Sequence, residues 1–309
     1  MREIVVCGEA LVDLVPSAPG ALSPLTPALG GGPFNAAITL GRLGSAVSLC
    51  SRVSTDAFGD ALADALRSAG VNLSLLQRGP EPTTLALTSI GDDGSAQYNF
   101  YLQGTADRLV TDPGELPRTV AALAFGTLSM VLEPGASAYE KLLHRSHGEG
   151  RLTLLDPNIR AGVIDDPDAY RKRFASWLPS LDIVKVSDDD AEWLAEGAAG
   201  TDPDRWIEAG VGAVVITHGG DGLSVRTPDL TARVPGRRVD VIDTIGAGDT
   251  ICGALLHWLG TRRFLDPAQL RTMTENDWSE ALQFAARAAA ITVSRPGADP
   301  PWAGELETD

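Results

Sequence analysis

The sequence predicts an α/β fold: a mostly parallel central sheet covered by helices on both faces, with a small β-sheet lid standing off it. Short β-branched runs alternate with segments of helical period along most of the 309 residues, the pattern of parallel strands joined by helices. Two stretches break that rhythm. Leu14–Gly32 is rich in Pro, Gly and Ser, and Thr83–Ile90 and Gln97–Leu102 alternate like two strands joined by the hairpin signal Gly91-Asp-Asp-Gly94.

In chain order, the strand-like runs are Ile4–Cys7, Ala46–Cys50, Ala121–Phe125, Leu152–Leu155, Ile183–Val186 and Ala213–Ile216. Helical segments lie between or after them, at Asn35–Arg42, Phe58–Ala69, Ser137–His147, Tyr170–Leu178, Asp189–Glu196 and Asp202–Ala209. The last part changes character, with helices at Gly248–Leu259 and Trp278–Ser294, the second alanine-rich enough for close packing. No repeat or long linker divides the chain, so residues 1–309 read as one domain whose lid comes from about 13–33 and 83–107. Ligands of open α/β sheets bind beyond the carboxyl ends of the strands, where such a lid would close. Gly304–Asp309 reads as a frayed acidic tail.

Composition narrows the functions. With 44% hydrophobic residues the chain can bury a large core, and 25 basic against 41 acidic residues give a net charge of −16. That balance repels nucleic acid and anionic membranes, so neither is expected as a partner. Cys7, Cys50 and Cys252 lie far apart in apolar runs, as buried free thiols do in a reducing cytoplasm. The start lacks a secretory pattern and no apolar run is long enough to cross a membrane, which together give the expectation of a soluble cytoplasmic protein. His144, His147, His218 and His257 have no metal-ligand spacing.

An anionic substrate of so acidic a protein needs local compensation, and Asp243-Thr-Ile-Gly-Ala-Gly-Asp-Thr250 could supply it. This stretch is neither a P-loop nor a dinucleotide fingerprint, since Ile251 stands where the latter needs a small residue. Its Gly246, Ala247 and Gly248 N–H groups can converge on an anionic oxygen, with Asp249 in the first turn of the following helix. From these residues alone, an N-capping aspartate after a glycine turn explains the stretch equally well.

Further motifs occur in order. They are Gly8-Glu-Ala-Leu-Val-Asp13, Gly30-Gly-Gly-Pro-Phe-Asn35, Asp156-Pro-Asn-Ile-Arg160, Lys185-Val-Ser-Asp-Asp-Asp190 and Thr217-His-Gly-Gly-Asp-Gly222. With the glycine stretch, they make the chain resemble the ribokinase-like (PfkB) carbohydrate kinases from Gly8 to about Gly297. The resemblance implies a three-layer α/β/α fold and transfer of the ATP γ-phosphoryl group to a sugar hydroxyl. Asp249 would be the general base and Gly246, Ala247 and Gly248 the anion hole. Asp13, Gly31, Gly32, Asn35 and Arg160 would hold the sugar. Alone, Asp13 reads as a solvated strand end and Asn35 as a helix N-cap. Lys185, Thr217, His218, Gly219, Gly220, Gly222 and Gly248 would face ATP, although Thr217–Gly222 reads equally as a plain turn between strands.

Departures from the family pattern bear on the metals. Many members have Asn-x-x-Glu where this chain has Ser187-Asp-Asp-Asp190, so Asp190 would reach Mg2+ through water from a shorter side chain. Asp243 and the Ser294–Gly297 loop could hold a monovalent cation such as K+, or Asp243 could simply cap the turn. Ser54 stands where a glycine is common.

The motifs look most like fructokinases and 2-keto-3-deoxygluconate kinases. Leu102-Gln103 stands where the keto-acid kinases tend to carry an arginine, which favours a neutral sugar, most of all fructose; a sugar-acid kinase using Arg160 is the alternative. A non-catalytic sugar sensor is the reading from another class, weakened by the presence of a base beside an anion hole. Family lids often pair across a homodimer, which a flat β flap permits.

Overall fold

The computed structural model describes residues 2–18, 20, 22–90 and 96–306. The Gly91–Gly94 hairpin signal and the last three residues of the expected tail lie outside them. The strands are β1 (Glu3–Cys7), β2 (Leu11–Pro16), β3 (Leu25–Gly30), β4 (Val47–Ser54), β5 (Leu76–Gly79), β6 (Leu85–Ile90), β7 (Ala96–Tyr101), β8 (Val120–Gly126), β9 (Leu152–Asp156), β10 (Ile183–Ser187), β11 (Ala213–Thr217), β12 (Leu223–Arg226) and β13 (Thr231–Val234). The helices are α1 (Gly32–Arg42), α2 (Ala57–Ser68), α3 (Gly135–Gly148), α4 (Pro167–Trp177), α5 (Asp188–Ala195), α6 (Pro203–Glu208), α7 (Ala247–Thr261), α8 (Pro267–Leu270), α9 (Glu275–Val293) and α10 (Ala303–Leu306).

Nine strands form the main sheet in the order β13-β12-β11-β10-β9-β8-β1-β4-β5. The run from β11 to β5 is parallel, while β12 and β13 extend it antiparallel. Both faces are covered, which is why the inner strands are apolar almost throughout. Ile4 and Val6 face one core with Phe34, Leu255 and Trp278, while Val5 and Cys7 face the other with Tyr139, Phe174 and Trp177. The period-2 alternation of a strand thus feeds two separate helix layers.

Local chemistry starts the helices. Asp166, Asp202 and Asp266 each cap a helix whose first turn carries a proline, and the capping boxes Ser187/Asp190 and Thr274/Asp277 start α5 and α9. The Asp-Pro pairs consume orphan N–H groups and preset the first helical φ, signals that fix helix starts to within a residue or two. The end of the chain differs from expectation. Ala303–Leu306 is helical, Leu306 is buried, and Glu305 pairs with Arg295, so side-chain anchors order what charge alone marked as a frayed tail.

A second sheet has the order β3-β2-β6-β7, with β2 antiparallel to β3 and parallel to β6, and β6 antiparallel to β7. It rests on the body through a small apolar cluster of Leu11, Ala86 and Leu128, with Phe100 and Leu132 against it. The chain steps from β1 to β4 and β5 on one side, then to β8 on the other, placing a topological switch point between β1 and β8. Among the described residues, no helix is long and apolar enough to cross a membrane.

Candidate active site

The segments leaving the carboxyl ends of β1, β8 and β9 converge below the small sheet. A cavity of about 260 Å³ opens there, lined by Asp13 of β2, Asn35 of α1, Thr127 after β8, Arg160 after β9 and Asp249 of α7. Gly31 and Gly32 form the start of α1 on its wall, and Phe100 closes it from β7. A second cavity of about 250 Å³ lies beyond the Gly246–Gly248 turn. Its walls include Thr217, Gly219, Gly220 and Gly222 from the β11–β12 connection, with Val239 and Val241 on an apolar rim. Thr244 and Gly248 line both cavities, so the glycine turn stands between them.

The turn is built by its sequence. Asp243 Oδ1 accepts from Ile245 N at 3.0 Å and Oδ2 from Gly297 N at 2.9 Å, which ties the turn to the loop after α9. Gly246 is the N-cap of α7 with φ 77°, a left-handed conformation that any side chain would strain. Ala247 and Gly248 begin the helix; the Ala247 N–H donates back to the Thr244 carbonyl at 3.3 Å, while the Gly248 N–H belongs to the first-turn donors that a helix leaves without an internal partner. Asp249 is therefore held in that first turn, with the positive end of the helix dipole behind it.

Asp249 is 8% exposed, and Asn35 Nδ2 donates to its Oδ2 at 2.9 Å. Burial raises its carboxyl above the ordinary aspartate range, opposed by the Asn35 hydrogen bond and by the charges of Lys185 and Arg160. Asn35 is not an N-cap. Helix α1 begins at Gly32, and Asn35 sits a turn inside it, buried, with its amide turned across the site. Asp13 is pushed up to about 6 by burial, with Arg160 lowering it and Asp249 raising it. Arg160 Nη1 donates to the Asn158 and Ile159 carbonyls and to Asn158 Oδ1.

Other expected residues take different places. Lys185 lines neither cavity: it is buried under the glycine turn, where Nζ donates to Asp156 Oδ2 at 2.8 Å. A Cβ on Gly248 would lie 2.9 Å from that Nζ. Asp190 spends both carboxylate oxygens on backbone, Oδ1 accepting from Ile159 N at 2.8 Å and Oδ2 from Ser187 N at 3.0 Å. It is thus a cap that also fixes the Asp156–Arg160 segment. His218 bridges Asp188 and Ser224 through its two ring nitrogens, so its imidazole braces the β11–β12 turn.

The structure adds residues that the motifs did not single out. Glu9 lines the first cavity, is 2% exposed, and accepts from Ser129 N at 3.2 Å and from Ser129 Oγ. Burial pushes it up to about 7 against those hydrogen bonds. Thr127, Asn158 and Phe100 also line the cavity. Glu9 stands within a quoted motif, and an acidic residue between apolar neighbours at a strand end was the available signal. Thr127 carried no local signal, because only topology brings it in.

Comparisons with known proteins bear on the chain as a whole. A family model described as pfkB family carbohydrate kinase matches residues 1–303. A fructokinase of Rhizobium leguminosarum bv. trifolii is 37% identical over 276 residues, covering 88% of this chain and 84% of its own. Fructokinase-2 of Zea mays is 31% identical over 310 residues, covering 96% and 90%. The crystal structure of a fructokinase with bound ATP from Xylella fastidiosa matches with a TM-score of 0.89 and 26% identity, over 99% of this chain and 97% of that one.

Proposed function

The chain belongs to the pfkB family of carbohydrate kinases, and on that premise we propose that it transfers the γ-phosphoryl group of ATP to a primary hydroxyl of fructose. The observation that carries the proposal is the position of the Gly246–Gly248 turn between two cavities, with Asp249 on the side of the first. The first cavity takes the sugar. Its polar wall of Asp13, Asn35 and Arg160 suits hydroxyl groups, which both donate and accept. The second, with its glycines and apolar rim, takes the nucleotide.

In this reading, fructose binds with one hydroxyl against the Asp249 carboxylate, which removes its proton as the oxygen attacks the γ-phosphorus and the bond from that phosphorus to the β–γ bridging oxygen breaks, releasing ADP. The N–H groups of the turn face the phosphoryl oxygens and stabilise the charge that moves onto them; one such donor is worth about 2.7–4 kcal/mol. Magnesium bound to the nucleotide would supply neutralisation of phosphate charge; Asp190, whose carboxylate oxygens accept from Ile159 N and Ser187 N, would not hold it directly. Asp243 caps the turn in this scheme, and any dependence on K+ is read by comparing turnover in potassium and sodium salts. The small sheet acts as a lid that excludes water and so suppresses ATP hydrolysis. Leu25 and Tyr101, 43% and 61% exposed on its strands, form the face through which two copies pair, which sedimentation at assay concentration checks. The buried, unpaired thiols suit a cytoplasmic setting.

Fructose is favoured over a keto acid because Arg160 is the one cationic side chain on the first cavity among the described residues, and its Nη1 is committed to backbone carbonyls. Coupled ADP release over a panel of hexoses, pentoses and keto acids tests the proposal. Fructose should give the highest kcat/KM. A 2-keto-3-deoxy acid in first place would move the activity to sugar acids, and no release with any substrate would favour a sensor.

A further inference from the structure

Beside the first cavity, and sharing Gly32, Thr127 and Asp249 with its wall, is a small chamber of about 20 Å³. It is bounded by Asp249, Asp156, Thr127 and Cys252, with apolar walls from Val6 and Ala124. A chamber of this size has room for one water molecule. Two polar atoms of its lining residues, Asp156 Oδ1 and Thr127 Oγ1, are buried and have no hydrogen-bond partner among the described residues. Asp156 is 5% exposed, and its other oxygen is committed to Lys185. A buried carboxylate oxygen without a partner is costly, and a bridging water would offset that cost.

The chamber thus joins Asp249 to the Asp156–Lys185 pair, whose ammonium reaches under Gly248. We propose that the chamber holds a water hydrogen-bonded to Asp156 Oδ1 and Thr127 Oγ1, and that the Asp156–Lys185 pair behind it is a positioning device that keeps Asp249 ionised for proton removal. Lys185 supplies a positive charge that favours the carboxylate. Asp156 holds Lys185 in place and limits that charge, so the base is not weakened too far to accept a proton. The inference rests on the reading of Asp249 as the general base.

The surroundings of Asp249 fix the expected signs. It is faced by Lys185 from β10, Arg160 and Asp156 from β9 and the segment after it, Asp13 from β2, Cys252 from α7 and the uncharged Asn35 from α1. Asp190 and Tyr170 stand behind Asp156. Burial pushes Asp156 up to about 6, Lys185 working against this. The Lys185 ammonium loses by burial but is held above its ordinary range by Asp156. Removing Lys185 takes away a favourable charge, whereas removing the charge of Asp156 leaves Lys185 uncompensated beside the base.

The test is the acid limb of kcat/KM for fructose at saturating ATP, measured on the full chain. Lys185→Met should move that limb to higher pH and Asp156→Asn to lower pH, each by about one unit at the effective dielectric of a buried site. Lys185→Arg should restore the parental position. Shifts in the same direction, or none, would overturn the proposal, because a merely structural role lowers activity without displacing the limb in opposite senses. If Asp156→Asn does not fold, the Met and Arg variants at Lys185 decide alone: rescue by Arg supports it and an unmoved limb in Met ends it. Asp249→Asn is run alongside. Loss of turnover there with no opposed shifts would sink only the positioning role of the Asp156–Lys185 pair, whereas retained turnover would sink the base assignment beneath it.

Discussion

Asn35 Nδ2 and Asp249 Oδ2 meet at 2.9 Å across 214 residues of sequence, an amide one turn into α1 on a carboxylate from the first turn of α7. The contact joins distant segments of the chain on the wall of the first cavity. It also stabilises the charged form of a buried acid.

Replacing Asn35 by Leu removes that donor while keeping an apolar filler. A hydrogen bond to a charged group is worth about 1.5–3 kcal/mol, so the Asp249 carboxyl should rise by one to two units, roughly. The acid limb of kcat/KM should move to higher pH by that amount, with a smaller loss at pH 8 than at pH 6. An unmoved limb would show that Asn35 serves only to pack α1.

Gly248→Ala places a methyl group 2.9 Å from Lys185 Nζ. The ammonium is tied to Asp156 and cannot swing away freely, so the turn must give instead. Displacing one anion donor should lower kcat by about 10². The overpacking itself should cost about 1–3 kcal/mol of stability, read as a lower Tm. A variant with parental kcat would mean that the Gly248 N–H does not face the transferred group.

Stability should respond to acid in a particular way. Glu9 and Asp156 have folded values pushed by burial to about 7 and about 6, and Asp13 to about 6. Between pH 7 and about 5 the folded chain therefore binds more protons than the unfolded chain, and these groups add stability as pH falls. Asp56 acts oppositely. Despite some burial, the Gly59 and Thr83 hydrogen bonds hold it at about 2, and its contribution fades as pH falls below the ordinary aspartate value. Tm should pass through a maximum near pH 5, and Glu9→Gln should flatten its slope between pH 5 and 8. A variant with the parental slope would place the proton uptake elsewhere.

The alternation of strands and helices was legible because each buried strand is apolar on both faces and each major helix carries its own period. Short edge elements such as β5, β13 and α8 were not, since four-residue segments hold too little pattern to register. At the site, Asp249 and the Gly246–Gly248 turn were visible as a local motif. The turn's place between two cavities was not, because it depends on the β11–β12 turn, the lid and α1 meeting around it. Lys185 shows the limit most clearly. A lysine in a strand suggested a phosphate ligand, whereas the fold buries it against Asp156, a partner 29 residues away that no local pattern specifies.

The most direct test of the central claim is turnover of Asp249→Asn with fructose and ATP. The amide keeps the shape of the side chain and removes its ability to accept the proton. We expect a folded protein that still binds ATP, with kcat lower by roughly 10²–10⁴. Turnover within a few-fold of the parent would contradict the assignment of Asp249 as the base.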